Sequence, residues 1–224
     1  LALLASGLFP WQRLSRSAQR SGWATTWLAI VALLASLAAS VHVMIAGTID
    51  YSFYAWQWPL PCCLGVSVDA VSAVMLVLIS FIGLIIARYA TRYLQGDAQQ
   101  GRFFRWMALT LGGTLLLVMA CNLVMLTAAW MLISFGLQQL LTYYPERTWG
   151  VWAARKKFLI SRLGDAMLIA ALVLTYRSFG TTEFTNLFAA ANAIHEGAAT
   201  GSFTAELIGI LFVLGAMTKS AQFP

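Results

Sequence analysis

Charge is scarce in this sequence. Only 10% of its 224 residues are Asp, Glu, Lys or Arg, whereas 60% are hydrophobic and the mean hydropathy is +0.78. A water-soluble domain of this length cannot hide so much apolar surface, so a polytopic membrane protein is expected. Cysteines number three, histidines two and acidic residues eight. Cys62, Cys63 and Cys121 make neither an even disulfide framework nor a metal-ligand spacing, and a vicinal Cys62–Cys63 bridge would be strained. There is no Walker loop, no GxGxxG after a strand and no Cys-x-x-Cys pair. No nucleophile with its base, metal set or carboxylate pair can be assembled in one pocket, so neither catalysis nor a cofactor is expected in this chain.

Prolines are also few, five in all, and long apolar runs result. They cover Leu1–Pro10, Trp23–Ala46, Val68–Ile86 with a helical extension towards Tyr93, Phe103–Cys121, Leu123–Tyr144, Phe158–Tyr176 and Ala205 onward. Such lengths predict an all-α transmembrane bundle of about seven segments, forming a single domain over 1–224. The chain opens inside one apolar run at Leu1, with no signal-peptide pattern, and stops inside another at Pro224. It is therefore expected to be the N-terminal part of a longer subunit.

The net charge of +6 is distributed by connection. Arg13, Arg16 and Arg20 follow the first run, Arg88, Arg92, Arg102 and Arg105 surround the third connection, and Arg147, Arg155, Lys156 and Lys157 occupy the fifth. The alternate connections carry almost no basic residues. The positive-inside rule makes the basic connections (11–22, 88–105 and 145–157) cytoplasmic and 47–67 and 179–204 external; no nucleic-acid partner is needed to explain the charge. Trp11, Trp23, Trp56, Trp58, Trp149 and Trp152 lie at segment edges, as an interfacial belt requires. The aromatic stretch Asp50–Gly65, with Pro59 and Pro61, reads as a short hairpin. In the last external loop Thr182 is expected to cap a short amphipathic helix through about Ala193. His195 and Glu196 read as solvated loop residues, and His42 as a packed or interfacial one.

Ionisable groups at membrane depth are few. Lys219 lies about fourteen residues into the last run, ~20 Å along a helix at ~1.5 Å per residue and near the middle of a ~30 Å core. It either snorkels to an interface or marks an ion path. The following Ser-Ala-Gln-Phe-Pro reads as a helix break, in which Ser220 and Gln222 satisfy the groups that Pro224 leaves open. Arg162 and Asp165 share one helical face and can pair, either as a structural pin or as part of a proton relay beginning at Lys156 and Lys157. Asp69 and Glu206 lie near outer ends.

Several stretches resemble the proton-translocating, antiporter-like subunits of complex I (subunit L) and of Mrp cation antiporters. They are Arg102–Phe104, Ala120–Leu126, Trp130–Met131, Lys157–Asp165, Gly180–Phe184 and Gly215–Pro224. The resemblance implies a broken seventh helix whose lysine, matched by Lys219, carries protons. It also implies a glutamate after the fifth-helix tryptophan, where this chain has Met131. The stretches Ser134–Arg147 and Ala153–Asp165 are similar to the DabB family, membrane subunits of a two-component bacterial inorganic carbon accumulation system. That similarity implies a DabA-like soluble zinc partner related to carbonic anhydrases, with zinc on the partner and none here. The implied task is cation flow, of protons above all, that energises hydration of carbon dioxide to bicarbonate. With Met131 at the glutamate's position, charge balance for Lys219 is expected from Asp165 or Asp69, or the lysine is held neutral; Gln138 and Gln139 are candidates to bind water near it. Two other readings stand beside this one: a proton-pumping or antiporter subunit of a redox or Mrp complex, and a membrane scaffold whose buried charges only fix packing.

Overall fold

The apolar runs fold into helices joined by short connections. The computed structural model describes residues 1–8, 17–56, 62–97, 99–144, 146, 148–195 and 202–220. In chain order these form α1 (Ala2–Leu8), α2 (Ser17–Ala46), β1 (Ile49–Trp56), β2 (Cys62–Val68), α3 (Ala70–Tyr93), α4 (Gln100–Val118), α5 (Leu123–Leu141), α6 (Thr148–Phe179), α7 (Phe184–His195) and α8 (Ser202–Lys219). Among the described residues four stretches, Ser21–Ala46, Ala70–Tyr93, Leu123–Leu141 and Trp149–Phe179, are long and apolar enough to cross a membrane. Their outward faces carry exposed Val31, Leu34, Val74, Ile85, Leu159 and Val173, which water would not tolerate as a continuous surface. The protein is a multi-pass membrane protein. The Ser-Ala-Gln-Phe-Pro break beyond Ser220, Glu196, Arg13, Arg16, Arg147, Trp11 and Trp58 lie outside the described residues.

Lipid supplies no hydrophobic force between helices, so close approach and hydroxyl bonds hold them together. Ser36 on α2 meets Ser80 on α3 at 2.8 Å, and Ser40 donates to the Ala73 carbonyl at 3.3 Å. Between α3 and α4, a Cβ on Gly83 would come within 2.5 Å of Leu111 Cδ1; between α4 and α5, one on Gly136 would meet Thr110 Oγ1 at 2.5 Å. Glycine is the residue that lets these axes approach.

One end of the bundle is closed by the β-hairpin. Strands β1 and β2 pair antiparallel from Ile49↔Val68 to Trp56↔Cys62, with an irregularity between Ser52 and Tyr54. A Cβ on Gly65 would press to 2.7 Å from the Tyr51 carbonyl, so that strand crossing requires glycine. The hairpin grips the α4–α5 turn: Val66 bridges Ala120 and the Ser67 amide donates to the Met119 carbonyl at 3.1 Å. From the other side Asn122 bridges Glu183, and the Leu123 amide donates to the Thr182 carbonyl at 2.9 Å. Fully buried Asn122 caps α5, its Oδ1 accepting from the Met125 amide at 2.7 Å.

Several boundaries differ from the sequence reading: α2 begins at Ser17 rather than Trp23 and α4 at Gln100 rather than Phe103, and two further differences bear on the site. Helix α6 begins at Thr148, ten residues before Phe158, because the aromatic and basic residues Trp149–Lys157 extend the helix through the membrane interface. Helix α7 begins after Glu183, whose carbonyl receives the Leu187 amide at 2.9 Å, whereas Thr182 is buried one residue earlier in the contact with α5.

Replacing Asn122 by Ala removes the α5 cap and is expected to cost about 1–2 kcal/mol, read as a lowered thermal midpoint in detergent; Asn122→Asp, which can still accept from the amide, should recover most of it. Asp97, in the α3–α4 connection, accepts from the Gln99 amide at 2.8 Å and the Tyr144 hydroxyl at 3.0 Å. The Gln99 amide above all, and Tyr144 after it, hold its carboxyl below the usual carboxylate range. Its contribution is thus present above about pH 4 and is lost as pH falls through the lowered value. Asp97→Asn should flatten that acid limb of a stability-against-pH curve and leave the neutral region little changed.

Candidate ion-path site

Three helices meet around Lys219. It is the last residue of α8, brought against α6 by a crossing built from small residues. A Cβ on Gly164 of α6 would run into Thr218 Oγ1, and one on Gly215 of α8 would sit 3.4 Å from the Gly164 carbonyl and 3.1 Å from Leu168. Thr218 turns its hydroxyl back to the Gly215 carbonyl at 2.7 Å, satisfying its donor within α8. Gly164 is thus the spacer within Arg162–Asp165 that allows α8 to approach.

At that depth the half-buried Lys219 Nζ donates to the Trp130 carbonyl on α5 at 3.0 Å and stands 4.0 Å from the centroid of the Trp130 ring. The buried Ser134 donates to the same carbonyl at 3.0 Å. An ammonium over an indole face gains roughly 0.5–2 kcal/mol, most where water is excluded. Beside it, Asp165 is 3% exposed and pairs with Arg162 at 2.6 Å, one turn back on α6. The Trp130 side chain also approaches the Asp165 carboxylate, and neither carboxylate oxygen has a hydrogen-bond partner among the described residues. Arg162 stacks its guanidinium over Phe158 at 5.1 Å. Asp165, Lys157 and Arg162 are the charged groups whose fields reach Lys219.

The other expected site residues fall elsewhere. Lys156 and Lys157 stand exposed on α6, two turns before Asp165. Asp69 is not near Lys219: it is the exposed N-cap of α3, accepting from the Ser72 amide at 2.7 Å, and that bond lowers its carboxyl below the usual range. Gln138 and Gln139 lie two turns along α5 from Trp130, ~12 Å away by helix rise. Gln139 accepts from Arg102 at 3.4 Å instead, and Gln138 Oε1 is buried with no hydrogen-bond partner among the described residues. Met131 brings no charge; the residue that meets Lys219 on α5 is Trp130. Sequence reasoning quoted Trp130 as part of a motif but gave it no contact with the lysine, because an indole reads equally well as an interfacial anchor. Among the described residues no group of three His, Cys, Asp or Glu lies together as a metal set.

Two family models match the chain in succession. Residues 59–104 match the complex I chain 5 N-terminus, and residues 120–224 match the NADH:quinone oxidoreductase/Mrp antiporter transmembrane region. The chain belongs to this antiporter-like family. It is 40% identical over 161 residues, 72% of its length, to a probable inorganic carbon transporter subunit DabB2 of Halothiobacillus neapolitanus. It is 34% identical over 160 residues, 71% of its length, to NADH-quinone oxidoreductase subunit L of Mycobacterium tuberculosis. The chain spans 28% and 24% of those two relatives. The Mrp complex from Dietzia has the same fold, with a TM-score of 0.73 at 20% identity over 97% of this chain and 23% of that one. Within the family's shared fold, the cluster of Lys219, Trp130, Asp165 and Arg162 falls inside the matched transmembrane region.

Gly164→Ala should separate α6 from α8 at this level. Overpacking of this kind costs about 1–3 kcal/mol, seen as lower thermal stability in detergent, and Thr218→Ala in the same chain should recover part of the loss through positive coupling in a double-mutant cycle.

Proposed function

We propose that this chain is part of a cation-translocating membrane subunit, moving protons above all, that energises a separate zinc-containing, carbonic-anhydrase-like partner in inorganic carbon accumulation. The observation that carries the reading is the ionisable cluster at the three-helix junction, in a chain similar to DabB2. Two cations, Lys219 and Arg162, face one carboxylate, Asp165. One proton fewer leaves the trio neutral, and a guanidinium does not give one up. Lys219 is therefore the group that releases and takes up the proton at Nζ. While charged it rests on the Trp130 carbonyl and ring; once neutral, its amine loses the attraction of the ring and keeps only a weaker hydrogen bond to the carbonyl. Asp165 and Arg162 fix the field in which this happens, and the exposed Lys156 and Lys157 supply the approach along α6. Charged groups at this depth are costly and are kept where they serve transport.

The basic connections favour the cytoplasmic face of a bacterial inner membrane for that entry and for the partner. The chemistry on carbon belongs to the partner, and this chain supplies energy coupling without a catalytic centre of its own. A second reading, a proton-pumping subunit of a quinone-reducing complex or an Mrp-type antiporter, is favoured by the similarity to subunit L.

The test is growth in air of a bacterium that otherwise needs high carbon dioxide, supplied with the full-length subunit and its zinc partner. Wild type should restore growth; Lys219→Ala and Lys219→Arg should not, although both proteins reach the membrane at wild-type levels. Normal growth with Lys219→Ala removes the lysine from the path, and loss of both proteins from the membrane favours a packing role. No rescue by wild type moves the redox or antiporter reading forward.

A further inference from the structure

A second polar site lies apart from Lys219, where α2, α3 and α4 come together at the end of the bundle that bears the α3–α4 connection. A Cβ on Gly22 of α2 would come within 3.0 Å of both Thr91 and Phe104, so the three helices touch there. Beside this contact opens a cleft of about 200 Å³ lined by Trp23, Arg88, Thr91, Arg92, Gln95 and Gln100.

Among the described residues its lining is cationic and lacks an acid. Arg88 and Arg92 are four positions apart on α3 and share one face, and neither has a carboxylate partner among the described residues. The nearest acid in sequence, Asp97, has its oxygens engaged by the Gln99 amide and Tyr144. Arg92 is not needed to cap α3, because the Leu94 amide already donates to the Ala90 and Arg92 carbonyls. Gln100 is 5% exposed and lines the cleft beside the two arginines. Two forked guanidiniums, a buried amide donor and polar Thr91 and Gln95 match the tetrahedral oxygens of a phosphate.

The surroundings indicate where that phosphate comes from. Trp23 stands at the rim, 58% exposed, and the stacked pair Tyr89–Tyr93, 65% and 71% exposed, continues along α3 beside the arginines. Exposed aromatic rings next to a basic pocket are what a membrane interface selects, and such pockets between helices take anionic headgroups. We propose that this cleft is a phosphate site occupied by the headgroup of an anionic phospholipid, with Arg88 and Arg92 on the phosphate oxygens and Gln100 donating from below.

The experiment uses the full-length subunit, delipidated in detergent and titrated in native mass spectrometry with phosphatidylglycerol, phosphatidylcholine or inorganic phosphate. Wild type should retain phosphatidylglycerol over phosphatidylcholine. Arg88→Gln/Arg92→Gln should weaken that retention about tenfold or more, whereas Arg155→Gln/Lys156→Gln, which removes the same charge elsewhere, should not. Gln100→Leu, which changes no charge, should weaken it several-fold and keeps the test open if the double variant misfolds. Equal retention by wild type and both cleft variants overturns the site, as does an equal loss in the Arg155/Lys156 control. Displacement of the lipid by millimolar inorganic phosphate overturns the lipid as occupant and assigns the cleft to free phosphate.

Discussion

An ammonium among apolar helices must rest on electron density, and Lys219 finds it on a single residue, the carbonyl and ring of Trp130. Much of the local architecture follows from that contact. For Lys219 to reach α5, α8 must lie close against α6, and Gly164 and Gly215 make the crossing thin enough. For α5 to present residue 130 there, its start must be fixed, and the Asn122 cap and the contacts of the α4–α5 turn with β2 and the Thr182 segment fix it. A helix cap at one end of the bundle is thereby coupled to the position of a charge in its interior.

The arrangement also divides the work between neighbouring cations. Arg162 holds the carboxylate directly, while Lys219 sits on an aromatic face and a carbonyl, contacts that are stronger for the charged form than for the neutral one. A guanidinium keeps its charge and an amine exchanges its proton, so the same buried acid can have one permanent and one variable neighbour. In a medium of low dielectric such a difference is felt strongly.

Much of the architecture was legible in the residues. The apolar runs marked every long helix, because few polar residues interrupt them, and the alternation of Tyr51, Phe53 and Trp56 with prolines marked the hairpin. Arg162 and Asp165 were legible as a pair because one helix fixes their spacing. The start of α6 was not, since Trp149–Lys157 carries the composition of an interface rather than of a core. Asp69 and Gln139 were misjudged because each polar group has another partner, the Ser72 amide in the first turn of α3 for one and Arg102 on α4 for the other.

By itself the sequence determined that this is a helical membrane protein, that its basic charge is sorted by connection, and that Lys219 and Asp165 are charges at depth. These properties follow from composition and from periodicity along one helix. Tertiary structure decided which carbonyl and ring receive the lysine, and that Trp23, Arg88, Arg92 and Gln100 share a cleft. Each of these is a meeting between helices, set by where glycines let the axes approach, and no single helix's pattern carries that information.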